Sequence, residues 1–249
     1  MSDVQAYLRA VLADNHQLYA TDYFDVFLHD DSDHPFSNYA IPRDGAEPTE
    51  DAIHEMIVVM EGAKRVPRLE YLPATAPAAE EALLAQGFVE ELRTPLMSCT
   101  AGKLKEVEVP EKVTLHQLGP DSEGEEVNGY LSAVSGAFGE PFDPATSDTA
   151  AVSLLRRIAV VAYADGEIAG GGSCQTIIAG TTELVGIGVA EPYRKRGIAA
   201  AVTAEIARLA FGRGAGTAFL TPGSDATARV YERAGFEATD EMLHLVRRG

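Results

Sequence analysis

Apolar residues recur at helical spacing near the start of the chain. Val4, Tyr7, Leu8, Val11 and Leu12 fall on one face, which predicts a helix over residues 3–20. Phe24–Leu28 and Asn38–Ile41 are short strand patterns around the polar run His29-Asp-Asp-Ser-Asp-His34. Ile53, Met56, Ile57 and Met60 repeat at helical spacing and predict a helix over Glu50–Lys64. Arg68–Leu72 reads as a strand, Ala78–Gln86 as a helix and Phe88–Ser98 as a strand. Lys103–Lys112 follows, with alternating charges and Pro110, and reads as a linker.

A second series of elements begins at Val113–Leu118, a strand pattern. Helices are expected at Ser122–Phe138 and Thr149–Arg157, separated by the breaker Gly139-Glu-Pro-Phe-Asp-Pro144. Ile158–Tyr163, the turn Asp165-Gly166, Glu167–Ile178 and Thr181–Ala190 read as strand, tight turn, strand, strand. A helix over Gly197–Phe211, a strand at Ala218–Thr221, a helix at Asp225–Ala234 and a strand at Phe236–Val246 complete the series. The expected organisation is therefore residues 1–102, a linker at 103–112, and residues 113–249.

The two series share an order. Leu69-Glu-Tyr-Leu-Pro73, a helix, Gln86-Gly87-Phe88 and a strand parallel Ala218-Phe-Leu-Thr-Pro222, a helix, Ala234-Gly235-Phe236 and a strand. A glycine at a helix end takes the left-handed conformation that stops the helix, so each joint alone is commonplace. The matched order over some thirty residues points to duplication of one architecture.

Composition narrows the function classes. The 249 residues are 46% hydrophobic and 23% charged, which suits soluble globular units with ample core. No apolar run approaches the ~20 residues that span a bilayer, and Met1–Ala20 lacks the basic-then-apolar pattern of a secretory signal. A cytoplasmic location is expected, with no membrane partner. Cys99 and Cys174 are too few for a disulfide framework or a zinc site and read as buried thiols. The net charge is −18, and residues 1–100 carry 18 acidic against 6 basic residues. Such a chain repels nucleic-acid phosphates, so no nucleic-acid partner is expected; its acidity favours cationic partners such as amines or polyamines, but more often serves only to keep a protein soluble.

Against that background, three consecutive basic residues stand out. Val185-Gly-Ile-Gly-Val189-Ala-Glu-Pro192-Tyr-Arg194-Lys195-Arg196-Gly197-Ile198-Ala199 joins an apolar strand to a helix of small residues. A helix N-terminus offers unpaired N–H groups and the positive end of a dipole, which suits a phosphate or pyrophosphate. Taken without its flanks, the run also fits a solvated basic turn.

Arg194-Lys-Arg-Gly197-Ile-Ala199 resembles the pattern Q/R-x-x-G-x-G/A of the GNAT superfamily, the acyl-CoA-dependent N-acetyltransferases. The resemblance covers about Val113–Val246. It implies an α/β (α+β) fold with a mixed, mostly antiparallel sheet flanked by helices, in two tandem units. It further implies acetyl-CoA as co-substrate, with Arg194, Lys195, Arg196, Gly197, Ile198 and Ala199 at its pyrophosphate and the strand at Ile187 and Val189 along its pantetheine arm. Ser224-Asp-Ala-Thr227-Ala-Arg-Val-Tyr231-Glu-Arg-Ala-Gly235-Phe236 resembles the family segment N-x-x-A-x-x-x-Y-x-x-x-G-F, with Ser224 and Thr227 in place of Asn and Ala. That match implies Ser224 at the cofactor's edge and Tyr231 as the acid that serves the departing thiolate. Glu183, fourteen residues before Gly197, lies where several family members place a catalytic glutamate. On an apolar strand its carboxylate would be a base of raised pKa, acting directly or through water; pointing to solvent, it would have no such role.

The expected activity is acetyl transfer to a primary amine of a small molecule or peptide by direct attack in a ternary complex. Two alternatives remain: a non-catalytic acyl-CoA-binding or sensing protein, and a mycothiol-synthase-like amino-sugar acetyltransferase. The first unit lacks the loop, because its equivalent stretch Ile41-Pro-Arg-Asp-Gly45-Ala-Glu-Pro48 ends in acid and proline. It is expected to be a degenerate GNAT-like unit that walls the acceptor site. Gly170-Gly-Gly172 lacks the spacing of a nucleotide loop and reads as a bulge or hairpin cluster. The run His29–His34 lacks a calcium loop's ligand spacing, so no metal is expected. Monomer and homodimer are both compatible with the sequence.

Overall fold

The computed structural model describes residues 2–30, 32–140, 142, 154 and 157–248. In chain order these form α1 (Ser2–Ala13), β1 (Gln17–Ala20), β2 (Phe24–Leu28), β3 (Tyr39–Pro42), α2 (Glu50–Gly62), β4 (Arg68–Tyr71), α3 (Ala79–Ala85) and β5 (Val89–Thr100). There follow β6 (Val113–Leu118), α4 (Gly124–Ala137), β7 (Ile158–Ala164), β8 (Glu167–Cys174) and β9 (Thr181–Val189). Then come α5 (Ile198–Gly212), β10 (Thr217–Leu220), α6 (Asp225–Arg233) and β11 (Glu237–Val246). The helix expected at Thr149–Arg157 lies outside the described residues apart from Leu154 and Arg157. Among the described residues, no helix is long and apolar enough to cross a membrane.

Two compact units emerge, Met1–Leu96 with Ala238–Gly249, and Met97–Glu237. In the first, the strand order is β1-β2-β3-β4-β11-β5. The pairs β1/β2, β2/β3 and β4/β11 are antiparallel and β3/β4 is parallel. The expected helix over 3–20 is shorter than its pattern. It ends at Ala13, where the His16 N–H returns to Leu12 O at 2.9 Å, and Gln17–Ala20 pair with Asp25–Leu28 instead. Strand pairing thus overrides a local pattern that stays apolar through Leu18 and Tyr19. The buried residues Val4, Tyr7, Leu8 and Leu12 on α1, and Ile53, Met56, Ile57 and Met60 on α2, are those the helical spacing selects.

In the second unit the order is β5-β10-β9-β8-β7-β6, with β9/β10 parallel and the other neighbouring pairs antiparallel. The strand β7 is buried on both faces. Ile158, Val160, Ala162 and Ala164 face the core beneath α5, where Val202, Ile206, Ala207 and Ala210 are buried. Ala159 and Val161 face the smaller core beneath α4 with Val127 and Tyr130. The helices α4 and α5 therefore cover opposite faces of the sheet. Within β8, a Cβ at Gly171 would meet the Tyr130 ring at 2.5 Å, so the glycine there permits close helix-on-sheet packing.

Both halves contain a parallel crossover, β3-α2-β4 and β9-α5-β10, then a helix and a strand. At the joints Gly87 (φ +85°) and Gly235 (φ +97°) precede the buried Phe88 and Phe236, as the internal similarity predicts. The final strands are exchanged: Met97–Thr100 of β5 pair with β10, and Leu243–Val246 of β11 pair with β4. The compact units consequently divide between Leu96 and Met97 and between Glu237 and Ala238, rather than at 103–112. Lys103–Lys112 carries no helix or strand, yet it is part of the second unit. The Lys105 N–H donates to Ala234 O at 3.1 Å, and its ammonium donates to Glu232 O at 3.1 Å.

Candidate functional site

The site begins where β9 loses a neighbour. Its parallel ladder with β10 pairs Thr181 with Thr217, Thr182 with Ala218 and Glu183 with Phe219, and ends there. On its other edge the register with β8 shifts, pairing Gly171 with Gly188 but Ser173 with Val185. One extra residue on β9 is thereby accommodated at Gly186, whose φ of +62° suits glycine and few other residues. Such a bulge bends a strand. Beyond Glu183 the two strands diverge around a cavity of about 780 Å³ lined by every residue from Glu183 to Val189. Main-chain groups on that edge of β9 are left for an extended ligand to pair with.

The loop from β9 to α5 closes one end of the cavity. Arg194 is extended, whereas Lys195 (φ +62°) and Gly197 (φ +88°) are left-handed. Left-handed residues placed two apart turn successive N–H groups towards one side, forming an anion-binding concavity. For lysine that conformation costs on the order of 1 kcal/mol, and such strain concentrates at binding sites. Helix α5 then begins with no acidic residue in its first turn and no side-chain cap at Gly197. Its first N–H groups and dipole remain available to an anion. The start of α2 in the first unit is the opposite case. Thr49 accepts from the Ala52 N–H at 3.3 Å, and Glu50 and Asp51 occupy the first turn. That terminus is self-capped and negatively charged, and so repels phosphate.

Glu183, Tyr231, Ile187, Val189, Arg194, Lys195, Gly197, Ile198 and Ala199 all line the cavity. Tyr231 is 6% exposed on α6, and burial pushes its phenol up to about 12, so it holds its proton at neutral pH. Two residues expected at the cofactor lie off the wall. Arg196 pairs with Asp165 at 2.9 Å and lies over the Tyr193 ring at 5.8 Å. Ser224 caps α6, accepting from the Thr227 N–H at 3.2 Å. Its motif position is occupied by a side chain whose oxygen the helix itself uses. Arg233, Thr227, Tyr193 and Phe138 line the cavity without having been singled out as site residues in the sequence. Arg233 follows Tyr231 by two residues in the matched segment, and Phe138 directly precedes the Gly139 breaker, so position alone was the available signal. Among the described residues, no group of three or more His, Cys, Asp or Glu is placed to hold a metal ion.

Residues 129–236 match the family model described as "Acetyltransferase (GNAT) family". The second unit thus contains a region similar to the GNAT family. Whole-chain similarity to solved GNAT structures shows the same fold. A GCN5-related N-acetyltransferase from Kribbella flavida superposes with a TM-score of 0.83 at 24% identity, over 99% of this chain and 95% of that one. A GCN5-related N-acetyltransferase from Sphaerobacter thermophilus gives 0.68 at 19% identity, over 97% and 86%. A tandem GNAT protein from the clavulanic acid biosynthesis pathway gives 0.59 at 15% identity, over 90% and 77%. Comparison with curated protein sequences returns no match. The similarity of residues 129–236 to the GNAT family points to acyl-transfer chemistry, with acetyl-CoA as that family's usual donor and an amine as acceptor.

Proposed function

We propose that the second unit transfers an acetyl group from acetyl-CoA to a primary amine of a small molecule or peptide, by direct attack within a ternary complex. One observation carries this reading: the uncapped, acid-free start of α5, with left-handed Lys195 and Gly197 before it, borders the same cavity as Glu183 and Tyr231. The residues present fit the donor. Main-chain N–H groups from Lys195 to Ala199 would hold its pyrophosphate, with Lys195 and Arg233 as neighbouring cations, and the β9 edge at Ile187 and Val189 would pair with its amide-bearing arm. The thioester supplies an electrophilic carbonyl and a thiolate leaving group.

The chain's own residues then have separable tasks. An ammonium has no lone pair for attack, so Glu183, directly or through water, accepts the proton of the acceptor nitrogen. The Tyr231 hydroxyl, protonated at neutral pH, donates to the departing sulfur. The splayed strand and the loop hold the reacting groups in register, which lowers the entropic part of the barrier. The first unit is assigned as a degenerate GNAT-like unit, on the strength of its parallel crossover and the acidic, self-capped start of α2. A cytoplasmic location accords with the two buried free thiols, Cys99 and Cys174.

Calorimetric titration with acetyl-CoA, beside a Gly197→Asp variant, tests the assignment. Micromolar binding that the variant loses supports it, and absence of binding to the intact protein overturns it. Binding without acetylation of any member of an amine panel would favour the sensing alternative.

A further inference from the structure

The run Arg194-Lys195-Arg196 presents three neighbouring cations, and the geometry separates their roles. The Arg194 guanidinium bridges two main-chain oxygens: Nε donates to Val189 O and Nη2 to Ala137 O, each at 3.0 Å. Val189 ends β9 and Ala137 ends α4, where carbonyls lack helical partners. Arg196 is held from another side, its Nη1 pairing with Asp165 Oδ2 at 2.9 Å. Asp165 is itself fixed in the β7–β8 turn, its N–H donating to Lys112 O at 3.1 Å. Lys195, between them, is exposed, left-handed and on the cavity wall.

We propose that Arg194 is a positioning residue: it ties the end of α4 and the end of β9 to the anion loop, so that the loop's N–H groups are already aimed before a ligand arrives. Arg196 and Asp165 brace the same loop from outside, and Lys195 is the member of the triplet whose charge meets the anion. This rests on the acetyl-CoA reading for the identity of the anion, but not for the brace itself. A left-handed lysine persists only where its surroundings over-determine it, and two tethers flanking Lys195 do so. The planar fork of arginine meets two acceptors at once, which a lysine ammonium on a flexible stem does not reproduce.

Two measurements test it on the full chain. In the ligand-free protein, amide hydrogen exchange from Lys195 to Ala199 should accelerate in Arg194→Ala and recover in Arg194→Gln, whose amide keeps a neutral donor; unchanged exchange in Arg194→Ala overturns the brace. In titrations with acetyl-CoA at low and raised salt, Arg194→Gln should bind more tightly than Arg194→Lys, with the salt dependence of the parent. Lys195→Gln should bind roughly tenfold more weakly, as for loss of one charge-assisted hydrogen bond, with a flatter salt dependence. The reverse ranking, with Arg194→Lys like the parent and Arg194→Gln impaired, would make Arg194 a direct charge contact and overturn the proposal. Failure of the parent to bind acetyl-CoA overturns the cofactor reading, whereas the exchange result judges the brace independently.

Discussion

Glu183 and Phe219 are the last residue pair of the parallel ladder between β9 and β10. Residue Glu183 therefore stands at the apex of the fork, where paired backbone gives way to the cavity. Glu183→Gln is close to isosteric and leaves the ladder intact. It should lower kcat by roughly 10²–10⁴, the usual contribution of a positioned base, with little change in acetyl-CoA affinity. Steady-state rates with a responsive amine, combined with calorimetry, check this; an unchanged kcat removes Glu183 from the mechanism.

Under the proposed mechanism, in which the hydroxyl donates to the departing sulfur, Tyr231→Phe should lower turnover more than it alters KM. Burial pushes the phenol to about 12, so its ionisation contributes no falling limb to the rate profile below about pH 11. A break near pH 9 or 10 that disappears in Tyr231→Phe would contradict the buried, protonated assignment.

Gly186→Val puts a β-branched residue at φ +62° and at the bulge that bends β9. A loss of about 1–2 kcal/mol is expected for the backbone conformation alone, and acetyl-CoA affinity should fall with it. Denaturant unfolding gives the first quantity and calorimetry the second. Equal stability would mean that the bulge relocates.

The first unit holds a buried polar cluster whose pH response has a definite sign. Arg68, 1% exposed, pairs with Glu91, meets His244 Nδ1 at 3.2 Å and stacks over Phe36 at 4.0 Å. Burial raises the pKa of Glu70 despite the nearby Arg68 charge. Burial, and then Arg68, lower that of His244. The raised carboxylate stabilises the fold below its ordinary range, and that contribution is lost as pH rises through about 7. The lowered imidazole stabilises above pH 6.5, and that contribution is lost as pH falls towards about 4. The two slopes oppose each other across the same interval. Relative to the parent, Glu70→Gln should make stability rise more steeply with pH between 4.5 and 6.5, and His244→Asn should make it fall, both read from denaturant midpoints. Arg68→Met removes one of the two arginine partners of Glu91, which keeps Arg248 at 3.1 Å, and should lower the denaturant midpoint.

Residues 103–249 expressed alone should be poorly soluble. The fragment lacks Met97–Thr100, the antiparallel partner of Thr217–Leu220, and leaves Leu243–Val246 without the β4 edge at Arg68–Tyr71. Two exposed apolar strand edges invite association. A soluble, fully active fragment would show that the exchanged strands are dispensable.

The sequence made the local elements legible wherever side-chain period and burial agree. Ile53, Met56, Ile57 and Met60 specify α2, and Val113–Leu118 is β6 to the residue. The loop before α5 was legible for a related reason, since its glycine, its basic run and the helix start after it are contiguous. Other features depend on partners that a residue's own periodicity or motif position does not name. Leu18 and Tyr19 extend the helical pattern of α1 but pair with Phe27 and Val26. Arg196 and Ser224 carry motif positions, yet Asp165 and the α6 N-terminus engage their side chains.

What the sequence determined by itself was therefore the succession of helices and strands, the duplicated order, and a basic, glycine-bearing turn before α5, because each depends on residues within one or two turns of each other. Tertiary structure alone decided that β5 and β11 change places, that β9 parts from β10 after Glu183, and that Arg194 reaches Ala137. Those outcomes depend on backbone hydrogen bonds and side-chain reach between segments from 36 to 178 residues apart, and hydrophobic periodicity carries no record of which distant edge a strand will find.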